Sequence, residues 1–569
     1  MCDASGRHWV VYNGEIYNHV ELRSELQALG HEFVSQSDTE VILHGYREWG
    51  DRCLARFNGM FAFVLVDRAA RRVLIARDRF GVKPLYIWRN HQGLIAVASE
   101  IKQFSVLPGW RPRLNGPRAY DFLNWGLFDH TSETLFASVR QLRGGEMISC
   151  SLDELYQGAR VQRWYELMPA ASEPTLGEAA TRVRSLLEDS VRLRLRADVP
   201  VGSCLSGGLD SSSIVCVANR LLRQASAEQL QKTFSARSRD SRVDEGMHIA
   251  AVVRSTGVAN YQVSPQLAQL FDLLPRMVWH QDEPFGSTSI FAQWHVFELA
   301  AQHGVRVMLD GQGADEQLAG YHGFYAARFG GLLRGLRLSR LALEMAQVHR
   351  VHGISHKQLL AYTLSPLLPE ALRHLLRKAM GRPGLGSPAW LDLDRLGAAP
   401  ADPFLMAGAK ATSVEKLSRA QLLATSLPML LHWEDRDSMA HSVEARVPFL
   451  DYRLVELVLG LPDTFKLKGA TTKVVLREAM RGVLPEPIRT RTDKIGFATA
   501  EEQWVRVESP DRFRSALREA LQASCGILTV KALEVLEEVI AGKRPFSFLP
   551  WRMICFGAWM KRFEVETAA

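Results

Sequence analysis

The stretch VPVGSCLSGGLDSSSIVCVANRLL, residues 199–222, constrains the fold more strongly than any other part of the chain. A short apolar strand ends at Leu205, a turn rich in glycine and serine follows, and an apolar helix begins inside that turn. Long helical patterns such as residues 176–198 alternate with short buried strands such as VRVMLD, residues 305–310. Parallel strands need helical crossovers, and this alternation is typical of such sheets. We therefore predict a doubly wound α/β domain over residues 176–569.

The turn itself has the composition of a phosphate-binding loop. Its glycines let backbone N–H groups approach phosphate oxygens, and the following helix N-terminus adds partial positive charge. Its serine hydroxyls add donors, and Asp210 can hold a Mg²⁺ ion that neutralises pyrophosphate. No Gly-Lys-Ser/Thr closes the loop, which excludes Walker A. The loop suits pyrophosphate release, hence adenylation of a carboxylate. The alternative is a strand-to-helix turn that binds nothing.

An acidic cluster follows the predicted strand at residues 305–310. Asp310, Asp315 and Glu316 lie in DGQGADE, near the carboxyl end of that strand, where ligands bind in open parallel sheets. Gly311 and Gly313 permit close approach of the backbone to a nucleotide. A solvated loop without a ligand is the alternative.

Residues 1–104 show a different pattern, with short strands and few helices. HWVVYN, MFAFVLVD, RVLIARD and GLIAVAS are apolar or aromatic runs bounded by turn residues. Between the first two runs, NHVELRSELQALG has the spacing of an amphipathic helix that Gly30 would end. We predict an α+β domain over residues 1–150 and a linker at 151–175.

Composition narrows the class of protein further. The 569 residues exceed what one core usually holds, so two or three domains are expected. The net charge of +7 is mild, and the 62 acidic residues are interspersed with basic ones, so nucleic acid is not an expected partner. The seven cysteines show no metal-ligand spacing, which fits a reducing compartment. No apolar run is long enough to span a membrane. We expect a cytoplasmic protein.

A set of ordered motifs runs from Trp9 to Phe497 and resembles glutamine-dependent asparagine synthetases. They are NGEIYN, SDTEVIL, NGMFAFVLVD, ARDRFGVKPLY, SEIK, LSGGLDSS, DEPF, DGQGADE, EDRDSMAHSVEARVPFLD and the pair LREAM…LPEPIRTRTDKIGF. The resemblance implies an N-terminal-nucleophile-type glutaminase domain followed by an ATP-pyrophosphatase domain. It implies that ammonia from glutamine travels to the second domain, where ATP and Mg²⁺ convert aspartate to β-aspartyl-AMP and ammonia displaces AMP. The implied partners are small molecules, with a homodimer as the assembly to test.

The resemblance also implies roles for individual residues. Asn13 and Gly14 would form the oxyanion hole of the glutaminase, and Glu15 and Asp38 would bind the amino-acid end of glutamine. Asp210 and Asp315 would hold Mg²⁺, and Lys473 would contact phosphate or the charge that develops as the adenylate forms. The residues implied to line ATP are Leu205, Ser206, Gly207, Gly208, Leu209, Asp210, Ser211, Ala236, Asp310 and Gly311.

Cys2 departs from the pattern of the family. The family nucleophile begins a Cys-Gly-Ile stretch, and a His-Arg-Gly-Pro-Asp motif precedes NGEIYN, whereas here Asp3 follows Cys2 and that motif is absent. The polar turn ASGR predicts that Cys2 pairs with the strand near Trp9. Asn13 would then lie roughly 13 Å away, at about 3.3 Å per residue. We expect a glutaminase domain that lacks its opening strands and its nucleophile.

Gln312 is the second departure, because relatives commonly carry a carboxylate there that is thought to act in proton transfer. A neutral amide cannot serve as a general base. One alternative is a subfamily variant that handles the proton by other means. Another is a related ligase or amidotransferase that adenylates a different carboxylate on a sugar, a peptide or a secondary metabolite. A third, which the departure at Cys2 raises, is a non-catalytic or regulatory relic, against which the intact SGGLDSS and GADE motifs argue.

Overall fold

The computed structural model describes two compact units, each with its own sheets. Described are residues 1–567 except 171–173, 226–230, 239, 241, 243, 370–371, 373–374, 376–385, 410–411 and 494–498. The first unit comprises Met1–Arg113 and Thr131–Met168, and the second comprises Leu114–His130 and Pro169–Ala569.

The first unit contains eight strands in two antiparallel sheets. A five-stranded sheet has the order β1-β2-β3-β7-β8, and a three-stranded sheet has the order β5-β4-β6. The strands are β1 (His8–Ile16), β2 (Gly59–Asp67), β3 (Arg72–Arg77), β4 (Tyr86–Arg89), β5 (Ile95–Ala98), β6 (Val139–Gln141), β7 (Glu146–Ser151) and β8 (Gln162–Arg163). The four strands predicted in residues 1–104 are β1, β2, β3 and β5, which confirms a strand-dominated α+β unit.

Two apolar cores hold this unit together. Helices α1 (His19–Ala28), α2 (Asp38–Trp49) and α3 (Cys53–Arg56) cover one face of the larger sheet, and Leu26 and Val41 pack there with Phe61 of β2. On the opposite face, Ile75 of β3 packs with Leu142. The predicted helix NHVELRSELQALG is α1. Helix α5 (Leu152–Gly158) follows β7, and α4 (Gly116–Tyr120) belongs to the second unit.

The residues before β1 fold back onto it. Cys2 pairs with Trp9 in an antiparallel bridge, which confirms the predicted pairing. The His8 ring lies between two carboxylates, with Nδ1 2.6 Å from Asp3 and Nε2 3.4 Å from Asp67. Asp67 also accepts a two-point contact from the Arg7 guanidinium. Charged hydrogen bonds therefore secure the turn that carries Cys2.

The second unit is built on a five-stranded parallel sheet of order β11-β10-β9-β12-β13. Its strands are β9 (Val201–Cys204), β10 (Lys232–Ala236), β11 (Ala259–Val263), β12 (Val307–Leu309) and β13 (Glu444–Arg446), and a small hairpin joins β14 (Leu467–Lys468) to β15 (Thr471–Thr472). Strand β9 ends one residue before the predicted Leu205.

Helices cover both faces of this sheet. Val183 and Val215 belong to the core on one face, while Phe297 and Met308 belong to the core on the other. This arrangement confirms the predicted doubly wound α/β architecture. The helices of the unit are α4 (Gly116–Tyr120), α6 (Leu176–Arg194), α7 (Leu209–Gln224), α8 (Gly246–Thr256), α9 (Leu267–Gln281), α10 (Ser289–Gln302), α11 (Ala314–Leu318), α12 (Phe324–Arg334), α13 (Leu338–His352), α14 (His356–Leu364), α15 (Leu393–Leu396), α16 (Pro403–Met406), α17 (Val414–Ala420), α18 (Leu427–Met439), α19 (Tyr452–Gly460), α20 (Asp463–Lys466), α21 (Val474–Ala479), α22 (Glu486–Thr490), α23 (Glu501–Gln503), α24 (Pro510–Ala523), α25 (Lys531–Ile540) and α26 (Leu549–Phe563).

The compact units divide the chain differently from the boundaries predicted at 1–150, 151–175 and 176–569. Residues 114–130 belong to the second unit, and residues 151–168 belong to the first unit. Strand β8 pairs with β7, which places part of the predicted linker inside a sheet. Within the described residues, no helix is both long and apolar enough to cross a membrane.

Gly14 allows the closest approach between β1 and β2. It lies opposite Phe61 with a φ of +151°, and a Cβ atom built there would be 2.1 Å from the Met60 carbonyl oxygen. We expect Gly14→Ala to lower the free energy of unfolding of the first unit by about 3 kcal/mol, since strands must separate to admit the methyl group. Urea denaturation measures this change.

The matched control is Gly6→Ala. Gly6 also has a positive φ, of +66°, but a Cβ there would meet no atom within 4 Å. Its substitution should cost only the conformational term of about 1 kcal/mol. Equal destabilisation by both substitutions would contradict the steric explanation.

Candidate active site

The topology of the second sheet places a crevice between β9 and β12. The chain moves from β9 to β10 and β11 on one side, while β12 and β13 lie on the other side. Loops that leave the carboxyl ends of two adjacent strands in opposite directions open a cleft, and ligands of doubly wound proteins bind there. The predicted loop 205–211 follows β9, and residues 310–316 follow β12.

A cavity of about 410 Å³ occupies this position. Nine of the ten residues implied to line ATP contribute to its wall, and so do Gln312, Asp315 and Lys473. The nine are Leu205, Ser206, Gly208, Leu209, Asp210, Ser211, Ala236, Asp310 and Gly311. The structure therefore brings together segments that are more than 260 residues apart in the chain.

Gly207 is the exception, because it supports the loop from outside the cavity. It has a φ of +80°, and a Cβ there would lie 2.8 Å from the Cβ of His248. Its carbonyl oxygen accepts a hydrogen bond of 2.9 Å from Arg491 Nη1. The same nitrogen donates to Glu245 Oε1 at 2.8 Å. Gly207 thus shapes the loop without facing the cavity.

Serine hydroxyls set the conformation of the loop at the N-terminus of α7. Ser211 Oγ accepts from the Ser206 N–H at 3.2 Å and lies 3.0 Å from Ser206 Oγ. Gly208 is the N-cap of α7, and its N–H donates to Ser206 Oγ. The first turn of a 16-residue helix therefore opens onto the cavity, which is an arrangement that favours anions.

Lys473 lies where the two strand ends converge. Its ammonium group contacts the Asp210 carboxylate and lies 2.6 Å from Asp315 Oδ1. Only 4% of the residue is exposed. Burial opposes the charged form, but the two carboxylates hold the pKa of Lys473 above its usual value. Two carboxylates that face one cationic position also form the oxygen donor set that Mg²⁺ prefers, so these residues fit that ion.

Asp310 follows β12 and lines the cavity as a half-buried residue. Burial raises the pKa of its carboxyl group, and the Gly311 N–H donates to Oδ1. The neighbouring Cys204 is half-buried and also lines the cavity, and withdrawal of its thiol from water raises its pKa well above the usual value. Asp310 therefore shapes the strand end where the chain turns into residues 311–316.

The sequence motifs gave no role to four charged residues of the cavity wall, which are Glu245, Arg477, Arg491 and Asp493. Arg477 donates to the carbonyl oxygens of Thr472 and Arg489. Arg477 and Arg491 stand in the quoted stretches LREAM and IRTRTD, so the motifs already contained a signal. Their positions became interpretable only when the fold brought these stretches to the loop after β9.

The residues predicted for the first unit also lie near one another. Asn13, Gly14 and Glu15 are consecutive on β1, and Asn13 Nδ2 donates to Ser99 Oγ at 3.1 Å. Asp38 begins α2, and its Oδ2 accepts from the Ile16 N–H at 2.9 Å and from the Tyr12 hydroxyl at 2.7 Å. Asp38 is therefore fastened to the strand that carries the other three residues.

The fold and the cavity are those of a two-unit enzyme. Its second unit is a doubly wound α/β domain with a loop of the phosphate-binding type. Residues 182–561 match the family model described as asparagine synthase, and residues 1–165 match the model described as a glutamine amidotransferase domain. The chain belongs to the asparagine synthase family.

Proteins similar to this chain are named either asparagine synthetases or amidases. The chain is 30% identical over 572 residues to asparagine synthetase [glutamine-hydrolyzing] 1 of Bacillus subtilis, covering 97% of this chain and 85% of the relative. It is 28% identical over 495 residues to asparagine synthetase [glutamine-hydrolyzing] 3 of the same organism, with coverage of 85% and 74%. A Penicillium rubens protein named amidase chyE is 29% identical over 525 residues, with coverage of 84% and 75%.

A buried carboxyl group supports one wall of the cavity. Glu501 Oε2 accepts from the Thr288 N–H at 3.0 Å and from the Thr288 hydroxyl at 2.8 Å. Thr288 is the N-cap of α10, and Ser289 and Ile290 in the first turn of that helix line the cavity. Burial raises the pKa of Glu501 to about 7.

We expect this group to make stability depend on pH. Between the ordinary value of 4.5 and about 7, the folded chain keeps a proton that the unfolded chain has released, so stability falls as pH rises. In the wild type this effect lowers the free energy of unfolding by on the order of 3 kcal/mol over that pH range, and Glu501→Gln should remove the decrease. Urea denaturation from pH 4.5 to 8 measures it. The more exposed neighbour supplies the control, Glu502→Gln, which should leave the pH dependence unchanged. If the free energy of unfolding of Glu501→Gln depended on pH as in the wild type, the raised pKa would not belong to Glu501.

Proposed function

We propose that the chain is an ATP-dependent asparagine synthetase. In this reaction the side-chain carboxylate of aspartate attacks the α-phosphorus of ATP, which gives β-aspartyl-AMP and pyrophosphate. Ammonia then attacks the acyl carbon, and AMP leaves with the electron pair of the broken C–O bond. The observation that carries the proposal is the convergence of Asp210, Asp315 and Lys473 beside the SGGLDSS loop at the switch point of the sheet.

Each part of the site has a role in the proposed adenylation. The loop 206–211 and the first turn of α7 would bind the phosphates through N–H and hydroxyl donors. Asp210 and Asp315 would hold Mg²⁺, which supplies positive charge to the pyrophosphate when bound. Lys473 would stabilise negative charge that develops on the phosphates, because a buried ammonium acts more strongly than an exposed one. Ala236 and Gly311 would border the nucleotide.

The first unit would supply ammonia from glutamine in an N-terminal-nucleophile-type domain. The Asn13 amide and a backbone N–H at Gly14 are suitable donors to an oxyanion. The carboxylates of Glu15 and Asp38 would bind the ammonium group of glutamine. The proposal includes ammonia as a direct substrate, because Cys2 is not positioned to act as the nucleophile that attacks glutamine. A cytoplasmic setting and a homodimer stay predictions.

A second candidate is a related enzyme that adenylates another carboxylate. Gln312, a neutral amide, lines the cavity where relatives carry a carboxylate. Relatives named amidases are similar over most of the chain. These two observations favour testing carboxylates of sugars, peptides and secondary metabolites beside aspartate.

Adenylation is tested by exchange of labelled pyrophosphate into ATP. We expect aspartate to stimulate exchange and Asp210→Ala to abolish it, because the substitution removes one of the two carboxylates beside Lys473. Lys473→Ala should reduce exchange by at least about 100-fold while ATP binding stays measurable. The exposed Asp272 of α9 supplies the control, Asp272→Ala, which should leave exchange unchanged.

The same assay separates the two candidates. Exchange that depends on a carboxylate other than aspartate would favour the second candidate, and exchange with none of the carboxylates tested would argue for a non-catalytic relic. Release of ADP and phosphate instead of AMP and pyrophosphate would contradict adenylation altogether.

The role of Cys2 is tested with glutamine and ammonia as alternative nitrogen donors. Cys2 pairs with Trp9, so Asn13 lies four residues farther along β1, roughly 13 Å away. A thiolate nucleophile and its oxyanion donors must meet within about 3 Å of one reacting centre. We therefore expect ammonia-dependent synthesis, little glutamine hydrolysis, and no change in either with Cys2→Ala.

The exposed Cys525 supplies the matched control, Cys525→Ala. Glutaminase activity that disappears with Cys2→Ala and persists with Cys525→Ala would restore Cys2 as the nucleophile. Product analysis of glutamate and asparagine distinguishes the two reactions.

A further inference from the structure

Three cationic side chains line the cavity among the residues that the structure describes, and they are Lys473, Arg477 and Arg491. Lys473 contacts two carboxylates. Arg491 donates to Glu245 through Nη1 at 2.8 Å and to Asp493 through Nε and Nη2 at 3.2 and 3.1 Å. Arg477 differs from both, because it forms no ion pair with a described carboxylate. It is therefore the cation of this wall that is best able to pair with an anionic ligand.

Backbone carbonyl groups hold the guanidinium group of Arg477 in one orientation. Its Nε donates to the Thr472 oxygen at 2.8 Å, and its Nη1 donates to the Arg489 oxygen at 2.6 Å. Both acceptors are neutral, so they orient the group without cancelling its charge. Nη2 makes no hydrogen bond to any residue that the structure describes. This nitrogen is a donor that a ligand in the cavity can use without displacing a protein contact.

Arg477 lies beside the loop of the phosphate-binding type. Lys473 is the N-cap of α21, and Arg477 follows four residues later, so the two side chains leave one face of the chain as neighbours. The carbonyl that Nη1 contacts stands two residues before Arg491, which donates to the Gly207 carbonyl of the loop. Asp210, in the first turn of α7, lies close enough to act on the pKa of Arg477. These contacts place Arg477 at the end of the cavity where phosphates would bind.

The surroundings of Arg477 strengthen its interaction with an anion. The residue is half-buried, burial lowers the pKa of its guanidinium group, and Asp210 opposes that decrease. Arginine nevertheless stays protonated in proteins. A charge that is partly removed from water attracts an anion more strongly, because the effective dielectric constant is lower there. Guanidinium groups also form charged hydrogen bonds to phosphate oxygens, and the terminal phosphates carry most of the negative charge of a nucleoside triphosphate.

We propose that Arg477 binds the terminal phosphates of the nucleotide and makes the cavity select a nucleoside triphosphate, or pyrophosphate, over a nucleoside monophosphate. The inference rests on the proposed adenylation. In that reaction the bond between the α-phosphorus and the bridging oxygen breaks, and its electron pair leaves with pyrophosphate. Arg477 would neutralise that charge from the binding of ATP until pyrophosphate leaves. Lys473 is less free to do so, because two carboxylates already contact it.

The alternative is a purely structural role for Arg477. Its two carbonyl contacts join Thr472 at the start of α21 to Arg489 in α22, and they would stabilise the fold without any ligand. That role uses Nε and Nη1 and leaves Nη2 without a purpose. Loss of a structural contact would weaken the binding of all nucleotides alike, whereas loss of a phosphate contact would weaken only ligands that carry the terminal phosphates. A comparison of ligands therefore separates the two roles.

The test measures equilibrium binding of ATP, pyrophosphate and AMP to the full chain by calorimetry, with Mg²⁺ and without a second substrate. We expect Arg477→Gln to weaken the binding of ATP and of pyrophosphate by about 10- to 100-fold, the range for a hydrogen bond to a charged group, and to leave AMP affinity nearly unchanged. Arg477→Lys should lose less, because it keeps the charge but not the planar fork. The exposed Arg481, which pairs with Glu478, supplies the control, and Arg481→Gln should bind all three ligands like the wild type.

Two results would overturn the assignment of Arg477, namely full retention of ATP affinity in Arg477→Gln and an equal loss of affinity for ATP and AMP. Urea denaturation shows whether each variant folds, and if Arg477→Gln does not, Arg477→Lys carries the same comparison of ligands. The binding measurements need neither aspartate nor turnover, so they are independent of the reaction. A chain in which Arg477 discriminates between these ligands, but which shows no pyrophosphate exchange with any carboxylate, would refute the proposed function and support the assignment of Arg477.

Discussion

The contact of Lys473 with Asp210 and Asp315 is the constraint on which the second unit depends. An ammonium group that is almost completely buried is tolerated only where opposite charges meet it. One carboxylate comes from the loop after β9 and the other from the loop after β12, so both strand ends must stand side by side. The parallel sheet provides that placement, and Arg491 fastens the outside of the loop through the carbonyl of Gly207. The same contacts therefore fix both the fold of the second unit and the geometry of its cavity.

The wall opposite this charge cluster is supported by buried polar contacts rather than by the apolar core alone. Glu501 caps α10 through Thr288, and His432 orders α18 through Gln281 and Asp129. Buried polar groups fix one geometry, because each must keep its partner. Such support would suit the proposed function, in which the cavity holds a nucleotide and a second substrate in fixed relative positions.

The first unit shows the same principle at its edge. The turn before β1 is fastened by the Asp3–His8–Asp67 contacts, and the pKa of Asp3 is lowered to about 2, with burial opposed by its hydrogen bonds to His8 and Ser5. Once this turn is fixed, Cys2 must lie beside Trp9, and strand geometry determines its separation from Asn13. The proposal that ammonia is a direct substrate therefore rests on backbone register rather than on any property of the thiol.

Local signals in the sequence determined the classes of structure and most of the site. Strand length, glycine placement and helical spacing predicted both the α+β unit and the parallel sheet, because these depend on near neighbours in the chain. The motifs shared with asparagine synthetases implied the residues around the cavity, and Ala236 and Lys473 were implied by that resemblance alone. Only the tertiary structure decided where the units divide, that Gly207 supports the loop from outside, that Arg491 and Glu245 join the wall, and that Asp129, Glu283 and His432 meet. Those outcomes depend on contacts between segments that are hundreds of residues apart in the chain. Burial and charge pairing select these contacts, and no local sequence pattern encodes them.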